Sequence, residues 1–483
     1  MNDASLKYEP VIGLEVHAQT LTRSKIFCGC ATEFGAAPNT QVCPICLGMP
    51  GVLPVLNRQV VALGIRMGIA THCAIAPYAR FARKNYFYPD LPKGYQVSML
   101  ELPLAEHGYV DIAYDAAPDG EKKVRLTRIH MEEDAGKNLH DGPEDTSHVD
   151  LNRAGVPLLE IVSEPDLFSA DEAVSYLKAL RALLIYAEVS DADMEKGNFR
   201  CDVNISIRPV GTSTLGTRAE VKNVNSFRYV QKAIDYECAR QEAILREGGK
   251  IVQETRLWDE KIGATVSMRS KEEAHDYRYF PEPDLVPLKI DSAWIEKIRS
   301  ALPEMPTEKK KRFMDNYAIP AYDATILTSA SGLADFFEQT VAAYPNAKIV
   351  SNWIMGDLLR ELNQEGKDIE DAAIRPEQLA ALLKMIETGT ISGKIAKTVF
   401  ETLYREGGDP EQIVKEQGLA QVSDEGALGA LIDAVLAENP NEVAGYRAGK
   451  KQLLGFFVGQ VMKQSGGKAN PGKVNALLKE KLV

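Results

Sequence analysis

Two groups of side chains that could bind metals lie within the first fifty residues, and they differ in chemical hardness. Glu15 and His17 fall within an alternation of polar and apolar residues over positions 11–17, so a strand would present both on one face. Four cysteines follow within thirty residues. We therefore expect a working site of oxygen and imidazole ligands beside a structural site of thiolates.

The four cysteines form two closely spaced pairs, which is the usual way to supply a tetrahedral zinc site. Gly29 and Pro44 lie inside the pairs, where tight turns are needed. The chain has seven cysteines, and this odd number with one cluster favours a metal over disulfides, with unliganded thiols as the alternative. The predicted zinc ligands are Cys28, Cys30, Cys43 and Cys46.

Three consecutive carboxylates end a strand that is predicted over residues 122–132. His130 and Glu132 are two residues apart and therefore share one face of that strand. Glu133 and Asp134 follow and continue into Ala-Gly, so the acids could converge on a ligand. A solvated acidic surface is the competing interpretation.

Two further strands, residues 201–208 and 217–224, alternate cleanly and are predicted to pair. Pairing of Arg208 with Arg218 would bring their polar side chains to one face. Carboxylates, lysine and asparagine on one face suit Mg²⁺ and phosphate, and a solvated sheet face is the alternative. The polar residues concerned are Asp202, Asn204, Ser206, Glu220 and Lys222.

The elements that must position these groups change type along the chain. Up to about residue 295, short strands lie among helices predicted at 170–187 and 226–247. Beyond that point strand patterns cease, and residues 305–405 have helical periodicity. A chain of 483 residues is long enough for several domains, and the pattern predicts an α+β body, a helical middle and a small helical tail.

Composition and charge exclude some classes of function. The apolar content of 45% and charged content of 26% are typical of a soluble globular protein, and no apolar run has the ~20 residues of a membrane span. Without a signal peptide, a cytoplasmic or organelle-matrix location is predicted. The net charge of −12 argues against wholesale coating of nucleic acid, but residues 441–483 carry eight Lys/Arg against two Glu and form a candidate phosphate-contacting surface.

Taken in chain order, the motifs resemble the B-subunit family of tRNA-dependent amidotransferases, the GatB family. The resemblance spans essentially the whole chain and is carried by IGLEVHAQ, the cysteine cluster, GMPGVLPVLN, RKNYFYPDLPKGYQ, HMEEDAGK, VDLNRAGVPLLEIVSEPD, RCDVNISIRP, AEVKNVNSF and DYRYFPEPDLVPL. It implies an α+β fold in which an antiparallel-sheet cradle is the catalytic domain. An all-α helical domain and a small α-helical, YqeY-like tail that binds tRNA would follow. The expected ranges are 1–295, 296–406 and 407–483.

The resemblance also implies that this chain is part of an ATP-dependent ligase. ATP would phosphorylate the side-chain carboxylate of glutamate or aspartate on misacylated tRNA(Gln), tRNA(Asn) or both, and ammonia from glutamine would then displace the phosphate. The implied partners are the amidase (the A subunit), the small C subunit, misacylated tRNA and a non-discriminating aminoacyl-tRNA synthetase. This chain has no serine-rich amidase signature, which agrees with that division of labour. The alternative from another class is a non-catalytic, zinc-stabilised tRNA-binding protein.

Site residues carry over from the family motifs onto matching positions. Lys84 matches a lysine at the mouth of the family's ammonia channel, where it could pair with the acyl phosphate or gate entry. Glu133 is the alternative to Glu132 as a metal ligand, and Glu133, Lys222 and Asn204 are expected to contact the nucleotide. Many family members lack the cysteines, so zinc rests on spacing alone. The implied Mg²⁺ ligands are Glu15, His17, Glu132, Asp202 and Glu220.

Overall fold

The computed structural model describes residues 6–114, 120–139, 146–268, 277–420, 425–466 and 468–482. The chain divides into two compact units, residues 1–307 and 308–483. The strands all lie in the first unit: β1 (Tyr8–Gln19), β2 (Ala74–Ile75), β3 (Tyr78–Ala79), β4 (Ala82–Asn85), β5 (Tyr95–Ser98), β6 (Ala105–Ala113), β7 (Glu121–Glu133), β8 (Lys137–Leu139), β9 (His148–Asp150), β10 (Pro157–Ser163), β11 (Phe199–Pro209), β12 (Ala219–Lys222), β13 (Glu254–Asp259), β14 (Ala264–Ser267), β15 (Phe280–Pro281) and β16 (Leu288–Lys289).

A nine-stranded sheet forms the body of the first unit, in the order β14-β13-β12-β11-β1-β10-β7-β6-β2. Its neighbouring strands are antiparallel except for the parallel pair β12–β13. Three small sheets accompany it, and the one that matters for the site has the order β15-β4-β5. The predicted α+β fold with an antiparallel-sheet body is confirmed.

One face of the large sheet is covered by helices α1 (Arg58–Ala70), α2 (Ala170–Tyr186) and α3 (Phe227–Arg246), and α4 (Ser292–Ser300) packs against the same core. Ser169 and Ser226 cap the N-termini of α2 and α3 by accepting hydrogen bonds from backbone amides of the first turn, so α2 begins at the predicted residue and α3 begins one residue later than predicted. The apolar positions of β1 belong to this core: Ile12, Leu14 and Val16.

The pairing of β11 with β12 differs from the prediction by two residues. Asn204 lies opposite Glu220, so Arg208 would lie level with residue 216 and not with Arg218. β12 is also shorter than the predicted strand, since it covers Ala219–Lys222 only. A shift of two residues preserves the side-chain faces, because the strand period is two, and the predicted polar face therefore survives the wrong register.

The second unit is helical in the part of the chain that the structure describes, as predicted. Its elements are α5 (Pro306–Tyr317), α6 (Ala321–Leu327), α7 (Ser331–Ala343), α8 (Ala347–Trp353), a π-helical turn (Ile354–Leu358), α9 (Leu359–Glu365), a 3₁₀ turn (Ile369–Asp371), α10 (Pro376–Glu387), α11 (Gly393–Glu406), α12 (Pro410–Glu416), α13 (Glu425–Glu438), α14 (Pro440–Arg447), α15 (Leu453–Gln464) and α16 (Pro471–Lys481).

Two separate hydrophobic cores lie within this helical unit. The first extends from Phe313 to Val414 and the second from Leu428 to Leu482. Ile413 and Val414 of α12 belong to the first core, so α12 packs with the helices that precede it. Among the described residues, no helix is both long and apolar enough to cross a bilayer.

Candidate functional site

The face of the large sheet opposite its helices gathers charged side chains from adjacent strands. His17 of β1 lies opposite Glu160 of β10 on one side and Arg200 of β11 on the other. Glu160 in turn lies opposite His130 of β7. Two residues along β1, Glu15 lies opposite Asp202. Strand register therefore converts motifs more than a hundred residues apart into one polar surface.

His17 is the centre of this surface. Its Nε2 atom lies 3.3 Å from Glu160 Oε2, 3.7 Å from Glu15 Oε1 and 3.8 Å from Glu132 Oε1. His130 Nε2 lies 3.5 Å from Glu160 Oε2 and 3.7 Å from Glu132 Oε2. Two imidazoles and three carboxylates thus form one contiguous group, which we call the His17 cluster: Glu15, His17, His130, Glu132 and Glu160.

The pKa shifts reflect an excess of buried negative charge. Burial alone would lower the pKa of His17, but the hydrogen bond to Glu160 and the charge of Glu132 raise it. For His130, burial is likewise outweighed by Glu160 and Glu132, and its pKa rises to about 9. Burial and the like charge of Glu160 raise the pKa of Glu15. A cation placed among these groups would relieve that repulsion.

The donor atoms of the cluster fit a hard divalent cation. One donor each from Glu15, His17 and Asp202 lie within 4.8 Å of one another, and so do donors from His17, Glu132 and Glu160. Carboxylate oxygens are the ligands that Mg²⁺ prefers, and it binds one or two of them with water and substrate phosphates completing the octahedron. These two overlapping sets could therefore hold Mg²⁺.

Asp202, Glu220 and Lys222 form an adjoining group along the same face. Lys222 Nζ lies 2.6 Å from Asp202 Oδ2 and 3.2 Å from Glu220 Oε1, and these carboxylates raise its pKa although burial alone would lower it. Glu220 also accepts a 2.8 Å hydrogen bond from Thr255. Lys222 thus links Glu220 to Asp202, which lies opposite Glu15 of the cluster. Half-buried Asn204 lies opposite Gly13 on one side and Glu220 on the other.

Lys84 lies on β4 of the three-stranded sheet, and its ammonium interacts electrostatically with the carboxylates of the cluster. Burial alone would lower its pKa, but the carboxylates of Glu132 and Glu160 raise it. Its ammonium lies 5.1 Å from the ring centre of Tyr277 and 6.0 Å from that of Tyr86. The segments that contain Tyr86 and Tyr277, nearly two hundred residues apart in the chain, therefore meet around this lysine.

The residues on either side of Lys84 hold residues 277–282 against β4. Arg83 donates two 2.8 Å hydrogen bonds to the buried carboxylate of Glu282. Asn85 donates from its side chain to the backbone carbonyls of Tyr277 and Arg278, at 3.0 and 2.8 Å. The consequence is that Tyr277 is held beside the Lys84 ammonium.

Glu132 and Glu133 lie on opposite faces of β7. Glu132 faces the cluster and accepts a 3.0 Å hydrogen bond from Ser98. Glu133 instead pairs with Lys93 and accepts a 2.8 Å hydrogen bond from the Val97 amide. The geometry therefore favours Glu132 as the cluster's carboxylate, and it separates Glu133 from the groups with which it was expected to act.

The opposite orientations of Glu132 and Glu133 lead to different expected effects of their substitution. We expect Glu132→Gln to weaken divalent-cation binding at the cluster by at least about tenfold and Glu133→Gln to leave it within about threefold, because only Glu132 faces the other donors. Mn²⁺, a surrogate for Mg²⁺, would be titrated into zinc-saturated protein and followed by electron paramagnetic resonance. Equal loss in both variants would contradict the assignment.

Sequence reasoning missed Glu160 and Arg200. Glu160 is the only charged residue in the apolar segment PLLEIVS, and a lone acid in an apolar strand is a signal that it has a partner. Its side chain is indeed buried, at 5% exposure. Arg200 donates two 3.0 Å hydrogen bonds to buried Asp134, which also accepts from Gln19 at 2.9 Å. This pair borders the cluster, since Arg200 lies opposite His17.

The four clustered cysteines converge as their spacing predicts. Their sulfur atoms all lie within 4.8 Å of one another, and no disulfide joins them. The Cys43 and Cys46 sulfurs are 3.9 Å apart, close to the edge of about 3.8 Å that a tetrahedron with 2.3 Å zinc–sulfur bonds requires. A hydrogen bond from the Cys28 thiol lowers the pKa of Cys46 to about 4. The cluster is compatible with a structural metal.

Comparison with known proteins agrees with this architecture. Residues 10–296 match the model of the GatB/GatE catalytic domain, and residues 335–482 match that of the GatB domain. A protein of Geotalea uraniireducens is 58% identical over 99% of this chain and its own full length, and one of Moorella thermoacetica is also 58% identical over the same shares. A third, from Solidesulfovibrio magneticus, is 57% identical over 99% of both chains.

All three relatives are named as the B subunit of aspartyl/glutamyl-tRNA(Asn/Gln) amidotransferase. The catalytic-domain match includes every residue of the His17 cluster and the four cysteines. The resemblance of the motifs is thus borne out along the whole chain, and the chain belongs to the GatB family.

Proposed function

We propose that the chain is the B subunit of a glutamine-hydrolysing, ATP-dependent aminoacyl-tRNA amidotransferase. The observation that carries this proposal is the His17 cluster, in which buried and half-buried carboxylates and imidazoles lie in contact and act electrostatically on the ammonium of Lys84. A protein that only binds tRNA has no need to bury these charges together. The names of the relatives supply the substrate class, namely aspartate or glutamate carried by tRNA(Asn) or tRNA(Gln).

The proposed reaction has two steps. A side-chain carboxylate oxygen of the tRNA-bound amino acid attacks the γ-phosphorus of ATP, so a P–O bond forms and the bond to ADP breaks. Ammonia then attacks the carbonyl carbon, the C–O bond to phosphate breaks, and the amide forms with loss of a proton. The released phosphate keeps the oxygen that came from the side chain.

The residues of the site suit phosphoryl transfer, which depends on positioning and electrostatics more than on covalent protein chemistry. When bound by Glu15, His17, Glu132 and Asp202, Mg²⁺ would neutralise charge on the transferring phosphoryl group. Glu160 holds both imidazoles in place, and Lys222 holds Asp202 and Glu220. Lys84 would offer its ammonium to the acyl phosphate.

Ammonia is proposed to come from glutamine hydrolysed by a partner amidase, the A subunit, with a small C subunit completing a heterotrimer. The experiment that tests this function combines the three proteins with ATP, glutamine and each misacylated tRNA in turn. We expect amide formation that requires this chain, ATP and the misacylated tRNA together. Amidation without the chain, or tRNA binding with no amidation, would favour the non-catalytic alternative.

The second unit is proposed to contact tRNA through the basic residues of α14–α16. Seven of the eight Lys/Arg in this region are exposed, and the eighth, Lys481, lies 2.6 Å from Asp433. The exposed set is Arg447, Lys450, Lys451, Lys463, Lys468, Lys473 and Lys479.

A charge-removal variant tests this surface in the full chain. Changing Lys450, Lys463 and Lys479 to Gln is expected to weaken tRNA binding and to flatten the slope of log affinity against log salt by about one for each phosphate that is no longer neutralised. The matched control changes three exposed lysines of the preceding helices, Lys348, Lys394 and Lys415. Equal effects of both triple variants would remove the tail from the proposed interface.

Zinc is the proposed occupant of the cysteine cluster. Elemental analysis of the purified chain is expected to give about one zinc per molecule, because a closed four-thiolate site holds one ion. Cys43→Ser should lower that content and the thermal stability together, whereas Cys73→Ser, outside the cluster, should leave the zinc content unchanged. A metal-free chain of full stability would contradict zinc at this site.

A further inference from the structure

Lys25 is a fully buried lysine at the base of the cysteine cluster. Its backbone amide donates a 2.9 Å hydrogen bond to the carbonyl of Cys30, so it closes the turn of the first cysteine pair. Its side chain is 0% exposed, and its ammonium donates to the Leu151 carbonyl at 3.3 Å. Within the described ranges, no carboxylate pairs with it. A neutral carbonyl does not offset a buried positive charge, so the charge needs another partner.

The cysteine site lies beside the Lys25 side chain. Lys25 shares a cavity of about 30 Å³ with Cys28, Cys46 and Glu133, a space that holds about one water molecule. Gly155 contacts three of these groups at once. A Cβ added to this glycine would lie 3.6 Å from Lys25 Cδ, 3.7 Å from Cys46 Cβ and 4.0 Å from Glu133 Oε2.

Glu133 does not use the charge of Lys25, because it has its own cation. Lys93, which lines the same cavity, pairs with Glu133. The Lys25 side chain borders the cysteine site directly, since it lines the same cavity as Cys28 and Cys46 and its backbone amide bonds to Cys30. The other carboxylates that line the cavity, Glu282 and Asp284, pair with Arg83, which leaves the cysteines as the partners available to Lys25.

We infer that Lys25 is the buried counter-cation of the cysteine site and that its charge strengthens the binding of zinc by the four thiolates; this rests on the zinc site proposed above. Four thiolates and one Zn²⁺ leave a net charge of about −2. That charge, in a partly buried loop, is costly unless it is paired. Lys25 is fully buried and therefore offsets part of this charge on a side of the site that bulk water does not reach.

The test compares zinc affinity in the wild-type chain and in Lys25→Met, which keeps the length of the side chain and removes its charge. In reducing buffer, competition with a chromophoric chelator is expected to show binding that is about 10- to 100-fold weaker in the variant, the usual cost of losing a partner outside the ligand shell. Lys93→Met removes the same charge from another residue that lines the cavity and should stay within about threefold of the wild type. Equal affinity in all three proteins would overturn the inference.

Thermal unfolding with and without zinc separates a charge role from a packing role. Without zinc, Lys25→Met should change the stability less than it does with zinc, because the four sulfurs together then carry less negative charge than four thiolates do. With zinc, it should be less stable, and the zinc-induced rise in Tm should shrink. A loss of stability that is equal in both states would overturn the inference.

Lys25→Gln provides a second uncharged variant. If neither variant folds with or without zinc, Lys25 has a packing role and the inference fails. If both variants fold without zinc and bind it more weakly than the wild type does, the inference holds. A wild-type chain that contains no zinc on elemental analysis would instead remove the proposed zinc site itself.

Discussion

A Glu15→Gln variant, assembled with its partner subunits, is expected to lose ATP-dependent amidation by at least about 100-fold, since even partners outside a metal's ligand shell are worth 10- to 100-fold. Glu15 is a predicted Mg²⁺ ligand whose oxygen lies 3.7 Å from His17 Nε2. The amide keeps the shape of the side chain but removes the charge that a metal would need. Binding of tRNA should persist, and so should glutamine hydrolysis by the partner amidase.

The matched control for that variant is Glu9→Gln on the same strand. Glu9 lies at the far end of β1, where it pairs with Arg208 at 2.7 Å and does not touch the cluster. Its amidation rate should stay within about threefold of the wild type, the range of surface substitutions. If Lys222 positions Glu220 and Asp202 together, Glu220→Ala should lose amidation as Glu15→Gln does. Full amidation by Glu15→Gln would refute the assignment of the site.

Glu160→Gln is expected to impair both stability and activity. Glu160 is 5% exposed and lies 3.3 Å from His17 and 3.5 Å from His130, and these imidazoles hold its pKa well below the usual value. Removing one partner of a buried ion pair costs about 3–5 kcal/mol of unfolding free energy. Without the Glu160 carboxylate, the imidazoles of His17 and His130 lose their common acceptor. We expect amidation to fall by about 100-fold, because the predicted metal ligands of the cluster lose their alignment.

Chemical denaturation and initial-rate assays of the reconstituted complex check this second prediction. Glu164→Gln is the control, because Glu164 belongs to the same motif but its carboxylate accepts a 2.9 Å hydrogen bond from Thr127, which is not a member of the His17 cluster. If Glu160→Gln and Glu164→Gln unfold at the same denaturant concentration and react at the same rate, Glu160 has no special role.

Local patterns in the sequence were sufficient for the features that depend on a single strand or loop. The alternation around Glu15 and His17 predicted their common face, and cysteine spacing predicted the convergence of the four sulfurs. The helices predicted at 170–187 and 226–247 are observed as α2 and α3. Each of these depends on residues close together in the chain, where backbone geometry alone fixes the outcome.

Long-range register was the part that local patterns could not give. Glu160 joins His17 only because β10 lies beside β1, about 140 residues away, with a specific alignment. Alternation likewise leaves a choice between registers that differ by two residues, which is why the predicted pairing of Arg208 with Arg218 was wrong while the face was right. Adjacent acids such as Glu132 and Glu133 remain ambiguous until packing shows which face of the strand is the site.

The fate of one oxygen atom provides the most direct test of carboxylate phosphorylation at the His17 cluster. Glutamyl-tRNA labelled with ¹⁸O in the side-chain carboxylate would be supplied to the complete complex with ATP and glutamine, and the released phosphate would be examined by mass spectrometry. We predict one ¹⁸O atom in each phosphate from the wild-type complex and no tRNA-dependent phosphate from Glu15→Gln. Unlabelled phosphate during amidation, or labelled phosphate from Glu15→Gln at the wild-type rate, would contradict phosphorylation at this site.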